Sequence, residues 1–439
     1  MPSGRIVSER ATALRMIRTI HHAKYVLAEA DLLLQEAAVH VCDPGRISRI
    51  EPWQGRRPDG ELRVVDWGDA VLMPGLVNCH THLELTSMAG KLSASLPFVD
   101  WLAGLEAERR SWVAEDYRAS AEAGAGMVLQ SGTTLLGDVS ASGESGGVLR
   151  RKKLRKVVFE EAHALAPGLA AEAAAHVERR LEDAEPDLWY VCGLSPQAPY
   201  SVSPKLYREL AAMAQRRAIP MATHVAETRE EVQFLESGAG RLRELLESLG
   251  ELPSGWAPPK LHPIPYLEVL GFLETAPLLI HCNHLDAGSM AAVQRNRCSI
   301  AYCPRSHARF GHEDHPVRQC LDLGINVALG TGSPASGASS DMLDEMRFLR
   351  RQRKDLKVEE IFRMATLNGA AALNFGSVLG RLRRGYWADM AVLRLPEGTG
   401  GRNLPAQILE GAGQCIATIV GGEVVWEHMS GAESQAPEP

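Results

Sequence analysis

Met73-Pro74-Gly75-Leu76-Val77-Asn78-Cys79-His80-Thr81-His82-Leu83-Glu84 is an apolar run that ends abruptly in two histidines. If the run is a strand, side chains alternate across it, and His80 and His82 project from one face about 7 Å apart along the backbone. Two imidazoles placed that way can share one metal ion. A pair of solvated loop histidines has the same spacing, so the reading depends on what distant parts of the chain bring to the same place.

Outward from this stretch, apolar runs of strand length alternate with helical patterns. Eight such runs are present: Val71 to Cys79, Thr133 to Val139, Lys156 to Ala162, Tyr190 to Ser195, Pro220 to Val225, Pro277 to Cys282, Ser299 to Cys303 and Asn326 to Gly330. Helical segments such as Ala170 to Ala184 and Val358 to Leu373 fit between and after them. Eight parallel strands each followed by a helix close into a TIM-type (β/α)8 barrel, whose reactive residues gather at the carboxyl ends of the strands. Shorter alternating patches flank this α/β core, Ala38 to Val41 and Leu62 to Val65 before it, Asp389 to Leu393 and Ala417 to Val420 after it. Pro44-Gly45 and Arg57-Pro58-Asp59-Gly60 supply turns between the early patches. The expected division is a small β-sandwich built by both chain ends (residues 1–72 and 379–429), a barrel over 73–378, and a disordered tail over 430–439. The first 18 or so residues read as a frayed basic terminus.

The 439 residues, 45% of them hydrophobic, can bury a large core. A net charge of −7 provides no basic field for nucleic acid and points to a small-molecule partner. The eight cysteines form no C-x-x-C pair and read as reduced, buried thiols of a cytoplasmic protein. No apolar run is long enough to span a bilayer, so no membrane partner is expected.

The strand ends carry the chemistry. The first delivers His80 and His82, the fifth His224 and Glu227, the sixth His281, Asn283 and His284. Imidazole is a poor filler beside an aliphatic core, so several at the ends of separate barrel strands suggest a shared role. A catalytic divalent ion such as zinc takes three protein ligands and keeps one position open. Glu227 lies three residues past His224, where the chain can turn it toward the same pocket; the other reading is a surface carboxylate at a helix start.

With these residues in view, the chain resembles the amidohydrolase superfamily, in its cytosine-deaminase-like and chlorohydrolase-like branch. The resemblance rests on Pro74 to His82, Ser131-Gly132-Thr133-Thr134, Ser195 to Tyr200, His224 to Glu227, Cys303-Pro304-Arg305-Ser306 and Gly385-Tyr386-Trp387-Ala388-Asp389. His82-Leu83-Glu84-Leu85 and Phe98-Val99-Asp100-Trp101-Leu102 look most like the aminofutalosine deaminases. The resemblance implies that His80, His82 and His224 hold a divalent metal, zinc or iron. It further implies that Glu227 shuttles a proton, that His281 orients the nucleophile or leaving group, and that Glu84, Trp101, Gln197 and Arg305 contact substrate. A homodimer is common among such enzymes.

Two departures stand out. Where the family's last strand ends Gly-Thr-Asp-Ser, this chain has Gly330-Thr331-Gly332-Ser333, and a substrate-contacting histidine of the family is Gln197 here. Gln197 hydrogen-bonds but cannot carry a proton at neutral pH. Asp138, Glu160, Glu161, Asp341, Asp344 and Glu345 are candidate substitutes for the missing carboxylate, and Arg305 to His312 adds imidazoles, one of them at position 307 where the resemblance implies asparagine. His312-Glu313-Asp314-His315 is not H-E-x-x-H, because its histidines are three apart. The basic cluster Arg150 to Lys153 with Arg155 reads as a solvated helix start below the loop Ser140 to Gly147. The proline-rich region Glu251 to Leu270, with Trp256, could wall the pocket and with Phe98 and Trp101 stack on a planar base, or these aromatics merely cover the barrel mouth; the sequence favours neither. The expected function is hydrolytic deamination of an amino-purine-like nucleoside or related cyclic amidine. The alternative is an impaired or non-catalytic paralogue that keeps the fold as a binding module.

Overall fold

The computed structural model describes residues 17–55, 62–184, 186–337 and 339–428. The expected frayed terminus lies almost wholly outside these residues, as do the turn at 57–60 and the tail. The N-terminal part contains β1 (Ile17–Glu29), β2 (Leu32–Cys42), β3 (Arg46–Pro52), β4 (Arg63–Asp66) and β5 (Ala70–Pro74). The middle contains β6 (Leu76–Thr81), β7 (Thr133–Ser140), β8 (Arg155–Ala162), β9 (Tyr190–Pro196), β10 (Ala222–Val225), β11 (Leu278–His281), β12 (Ser299–Tyr302) and β13 (Asn326–Leu329). The chain returns through β14 (Met390–Arg394), β15 (Gln414–Val420) and β16 (Glu423–Glu427).

Each of the eight expected central runs contains a strand, and all pair in parallel: β6 to β9 in one four-stranded sheet, β10 to β13 in another. The edges of the two sheets also meet. Leu194 of β9 bridges Met221 before β10, and Thr81 of β6 bridges Gly332 after β13. Alternate residues of both sheets, including Val77, Cys79, Leu135, Val157, Phe159, Ala222, Ile280, Ala301 and Ala328, pack into one buried cluster. This is the inward set of a period-two pattern.

Both chain ends share a single eight-stranded mixed sheet, in the order β16-β15-β14-β5-β1-β2-β3 with β4 on β1. The run read above as one strand from Val71 is therefore two. β5 pairs with β1 and β14 in the terminal sheet, and the chain crosses at Gly75 to begin β6. Gly75 is required there because a Cβ would overlap the Thr134 side chain.

Arg155 is fully buried, which corrects its placement in a solvated basic cluster. Its guanidinium lies between the rings of Trp189 and Trp387 and forms a two-pronged pair with Asp389, at 2.7 and 3.1 Å. Asp389 also accepts the Gly421 N–H at 2.8 Å, so one carboxylate ties β8 to the terminal sheet. Removing it leaves a buried, unpaired guanidinium. Asp389→Ala should lower the unfolding free energy by about 3–5 kcal/mol, measured by denaturant titration, far more than a surface pair such as Arg18–Asp43 is worth. All eight cysteines are buried and free. Among the described residues no helix is long and apolar enough to cross a membrane.

Candidate active site

His80, His82 and His224 come together where β6 and β10 end. One ligand nitrogen from each lies within 4.8 Å of the others, and the Nε2 atoms of His82 and His224 are 3.1 Å apart. The His80 ring stands nearly edge-on to both. Backbone carbonyls set the orientation: Nδ1–H of His224 donates to the Gln197 carbonyl at 3.1 Å, and the Val139 carbonyl holds His82. A carbonyl can only accept, so the Nε2 of His224 keeps its lone pair directed at the common centre. His80 Nδ1 is buried without a hydrogen-bond partner among the described residues. Burial first, then neighbouring imidazoles, holds His80 and His82 well below the ordinary histidine range, and burial lowers His224 to about 4. Neutral imidazoles are the ligating form. Around a tetrahedral zinc-like ion with Zn–N near 2.0–2.1 Å, ligand nitrogens stand roughly 3.3 Å apart, so the spacing and the all-nitrogen donor set fit such an ion.

Glu227 and His281 face the same centre, with Oε1 of Glu227 3.3 Å from Nε2 of His281. Burial, then the charge of Glu231, pushes the Glu227 carboxyl up to about 8; burial, then His224, holds His281 well below its usual range. Burial disfavours the charged form of both groups. Local sequence explains the position of Glu227. Thr228 caps the helix Arg229–Ser237 by accepting the Glu231 N–H at 3.1 Å, and the Glu231 carboxylate accepts the N–H groups of Ala226 and Glu227 at 3.1 and 2.9 Å. This Thr-x-x-Glu capping box pins the backbone of Glu227 where β10 gives way to helix. His281 and Cys282, at φ 72° and 53°, turn the chain sharply after β11, a conformation uncommon for residues with a Cβ and often met at functional sites.

One cavity gathers these five residues with Glu84, Trp101 and Gln197, under a roof formed by the helix Phe98–Arg109. Trp101 donates its indole N–H to the Ala335 carbonyl at 3.2 Å, and Gln197 donates its amide to Glu161 Oε1 at 3.2 Å. Glu84 reaches the cavity wall, but its carboxylate is occupied by Ser140 Oγ at 2.5 Å and by the N–H groups of Ala141, Ser142 and Ser145. It anchors the loop after β7. Arg305 is a correction: it does not line the cavity, because its guanidinium packs on Phe348 and pairs with Glu345 at 3.1 Å. The 251–270 region is another. Trp256 stacks on Phe234 at 4.3 Å beside Pro253 and Pro259, in a separate crevice. Sequence reading missed Glu106 and Arg109, which line the cavity and pair with each other at 3.0 Å. The signal was available: Phe98, Leu102, Glu106 and Trp101, Leu105, Arg109 recur every four residues on one helix face.

None of the substitute carboxylates joins the histidine group. Asp138 accepts from Thr81 Oγ1 and the Leu83 N–H, Glu160 pairs with Arg180, Asp341 caps the helix Met342–Gln352, and Asp344 and Glu345 face Arg305. Glu161 faces the cavity, engaged by Gln197. Gly332 lines the cavity at φ 65°, and a Cβ there meets only Ser336 Oγ, at 3.5 Å. Aspartate is among the residues that tolerate this left-handed conformation. Gly332→Asp should therefore fold, and should raise turnover by roughly 10²-fold, the range expected when a missing acid–base group is supplied. Unchanged turnover would mean that another group already performs that step.

The chain belongs to the amidohydrolase family, which it matches over residues 71–425; amidohydrolases cleave C–N bonds other than peptide bonds, and the resemblance read from the motifs is borne out. It is 28% identical over 403 residues to the 5-methylthioadenosine/S-adenosylhomocysteine deaminase of Syntrophomonas wolfei subsp. wolfei, covering 85% of this chain and 86% of that one. It is 31% identical over 333 residues to the aminodeoxyfutalosine deaminase of Deinococcus radiodurans, covering 72% and 76%. An adenosine deaminase from Xanthomonas campestris, solved with bound zinc, superposes with a TM-score of 0.77 at 22% identity, covering 93% of this chain and 92% of that one. These likenesses imply a TIM-type barrel for the central α/β region.

Proposed function

We propose that this protein is a divalent-metal-dependent deaminase that hydrolyses the exocyclic amine of an amino-purine-like nucleoside. The convergence of three imidazole nitrogens within 4.8 Å, beside the Glu227–His281 pair, carries this reading. In it, His80, His82 and His224 hold the ion, zinc being the best match and iron the second. A divalent ion held by these three imidazoles would bring the pKa of water near neutrality and so make it a nucleophile. Glu227 moves a proton to the departing nitrogen, and His281, 3.3 Å from it, accepts or returns a hydrogen bond as the carboxyl changes state. The ring carbon bearing the amine gains oxygen from water and ammonia leaves, so atoms balance without an oxidant or second substrate. Phe98, Trp101 and Tyr200 offer faces for a planar base, while Gln197 supplies an amide in place of an imidazole.

The same reading treats the two parallel sheets as one closed barrel, joined through Leu194–Met221 and Thr81–Gly332. It treats the terminal sheet as a small sandwich, places the division near residues 73 and 379, and has the protein act as a cytoplasmic homodimer on small molecules, without nucleic acid or membrane. The relatives lend nothing to the impaired-paralogue alternative. Zinc-loaded protein is to be assayed for ammonia release from adenosine, 5-methylthioadenosine, S-adenosylhomocysteine and aminodeoxyfutalosine. Release from at least one is the expected result, and none from all four would end the proposal.

A further inference from the structure

A second set of imidazoles lies beyond His281, unused by the reaction proposed above. His284 follows β11, His307 sits on the helix Pro304–Arg309 after β12, and His312 follows the turn at Gly311. The His312 ring is 5.2 Å from that of His284 and 5.5 Å from that of His307. The three rings of the catalytic set are separated by 4.8 to 5.1 Å, so the two spacings compare closely. A short backbone link, the His312 N–H to the His307 carbonyl at 3.3 Å, holds two of the rings together.

The Nε2 atoms of His284, His307 and His312 are all buried without a hydrogen-bond partner among the described residues. His307 is only 8% exposed. A buried, unsatisfied polar atom is costly, and three in contact call for a shared partner. Packing alone does not account for them: His315, in the same cluster, is stacked on Tyr302 at 3.8 Å and uses its Nε2–H to donate to the His281 carbonyl. On the outer side, His284 also lines an open groove together with Asn283, Asp286, Glu313 and Asp314. Arg229 stands at its rim but is paired with Glu313 at 2.6 Å.

We propose that His284, His307 and His312 form a second metal site, distinct from the His80–His82–His224 set, that takes a borderline transition-metal ion of the Zn²⁺ class. Three neutral imidazoles select such ions over Mg²⁺ or Ca²⁺, which prefer oxygen. Water entering along His284, the member of the set that lines the groove, would fill a remaining position. The catalytic set already has its ligand atoms within 4.8 Å of one another, whereas His284, His307 and His312 are not gathered that closely and their rings would have to turn to share an ion.

The test uses the full chain, stripped with chelator and dialysed against Zn²⁺, with bound metal counted by mass spectrometry. Wild type should hold two equivalents, His80→Ala/His82→Ala one, and His284→Gln/His312→Gln one. Equal zinc in wild type and His284→Gln/His312→Gln would overturn the proposal. If that double variant does not fold, the His80→Ala/His82→Ala protein still decides: added Zn²⁺ should raise its Tm, and His307→Asn in that background should abolish the rise. No rise in the first case, or an undiminished one in the second, overturns the site. Loss of zinc from the His80 and His82 positions is counted separately, so failure of the proposed deaminase centre is not confused with failure of this one.

Discussion

Replacing His80 by alanine should leave a folded chain that no longer retains a divalent ion at the proposed catalytic centre and no longer releases ammonia. His80 is 1% exposed, and its ring stands edge-on to both His82 and His224, so its loss removes one of the three converging nitrogens from the centre of the group. Changing a group that merely supports a ligand costs about 10- to 100-fold in metal affinity, and deleting the ligand should exceed that range. The measurement is zinc content after dialysis against a weak chelator, with circular dichroism to confirm folding. His281→Ala is the informative companion, because His281 is assigned to proton handling and not to the ion. That variant should keep its zinc and lose turnover. Zinc retained in His80→Ala with turnover intact would remove the basis of the proposed mechanism.

Glu227→Gln should keep both the metal and the fold and reduce kcat by about 10² to 10⁴, the range for loss of a general acid–base group. The substitution is nearly isosteric. The capping contacts that fix residue 227 go to its backbone N–H, from Glu231, and so survive. What disappears is the ability to carry a proton, since an amide neither gains nor loses one near neutrality. A loss confined to kcat, with KM little changed, fits a group acting in the chemical step. A loss smaller than tenfold would assign the proton transfer elsewhere, and Glu161, facing the same cavity, would be the next residue to test.

How much of this was legible in the sequence follows the range of the forces involved. Strand and helix periodicity is local, and the eight central runs each yielded a parallel strand because alternation and apolarity act over a few residues. The convergence of His80, His82 and His224 could be inferred because parallel strands with helical crossovers deliver their carboxyl ends to one side. The contacts that hold Glu227 are likewise local, since Thr228 and Glu231 are close in sequence, but they went unread until the structure showed them.

Other features depended on partners that only folding selects. The break at Gly75 reflects a close approach to Thr134, more than fifty residues away. Arg155 reads as a surface charge until Asp389 and two tryptophans enclose it, and Arg305 reads as a substrate contact until Glu345 and Phe348 claim it. Glu84 looks like a free acid beside a metal motif, yet four donors from the end of β7 and the turn into the next helix consume it. The chain by itself determined which chemistry each strand end carries, because that is written in adjacent residues. The tertiary structure decided which charged groups remain free to perform it, because a buried charge goes to whichever partner the packing brings within hydrogen-bond distance, and that partner has no fixed separation along the chain.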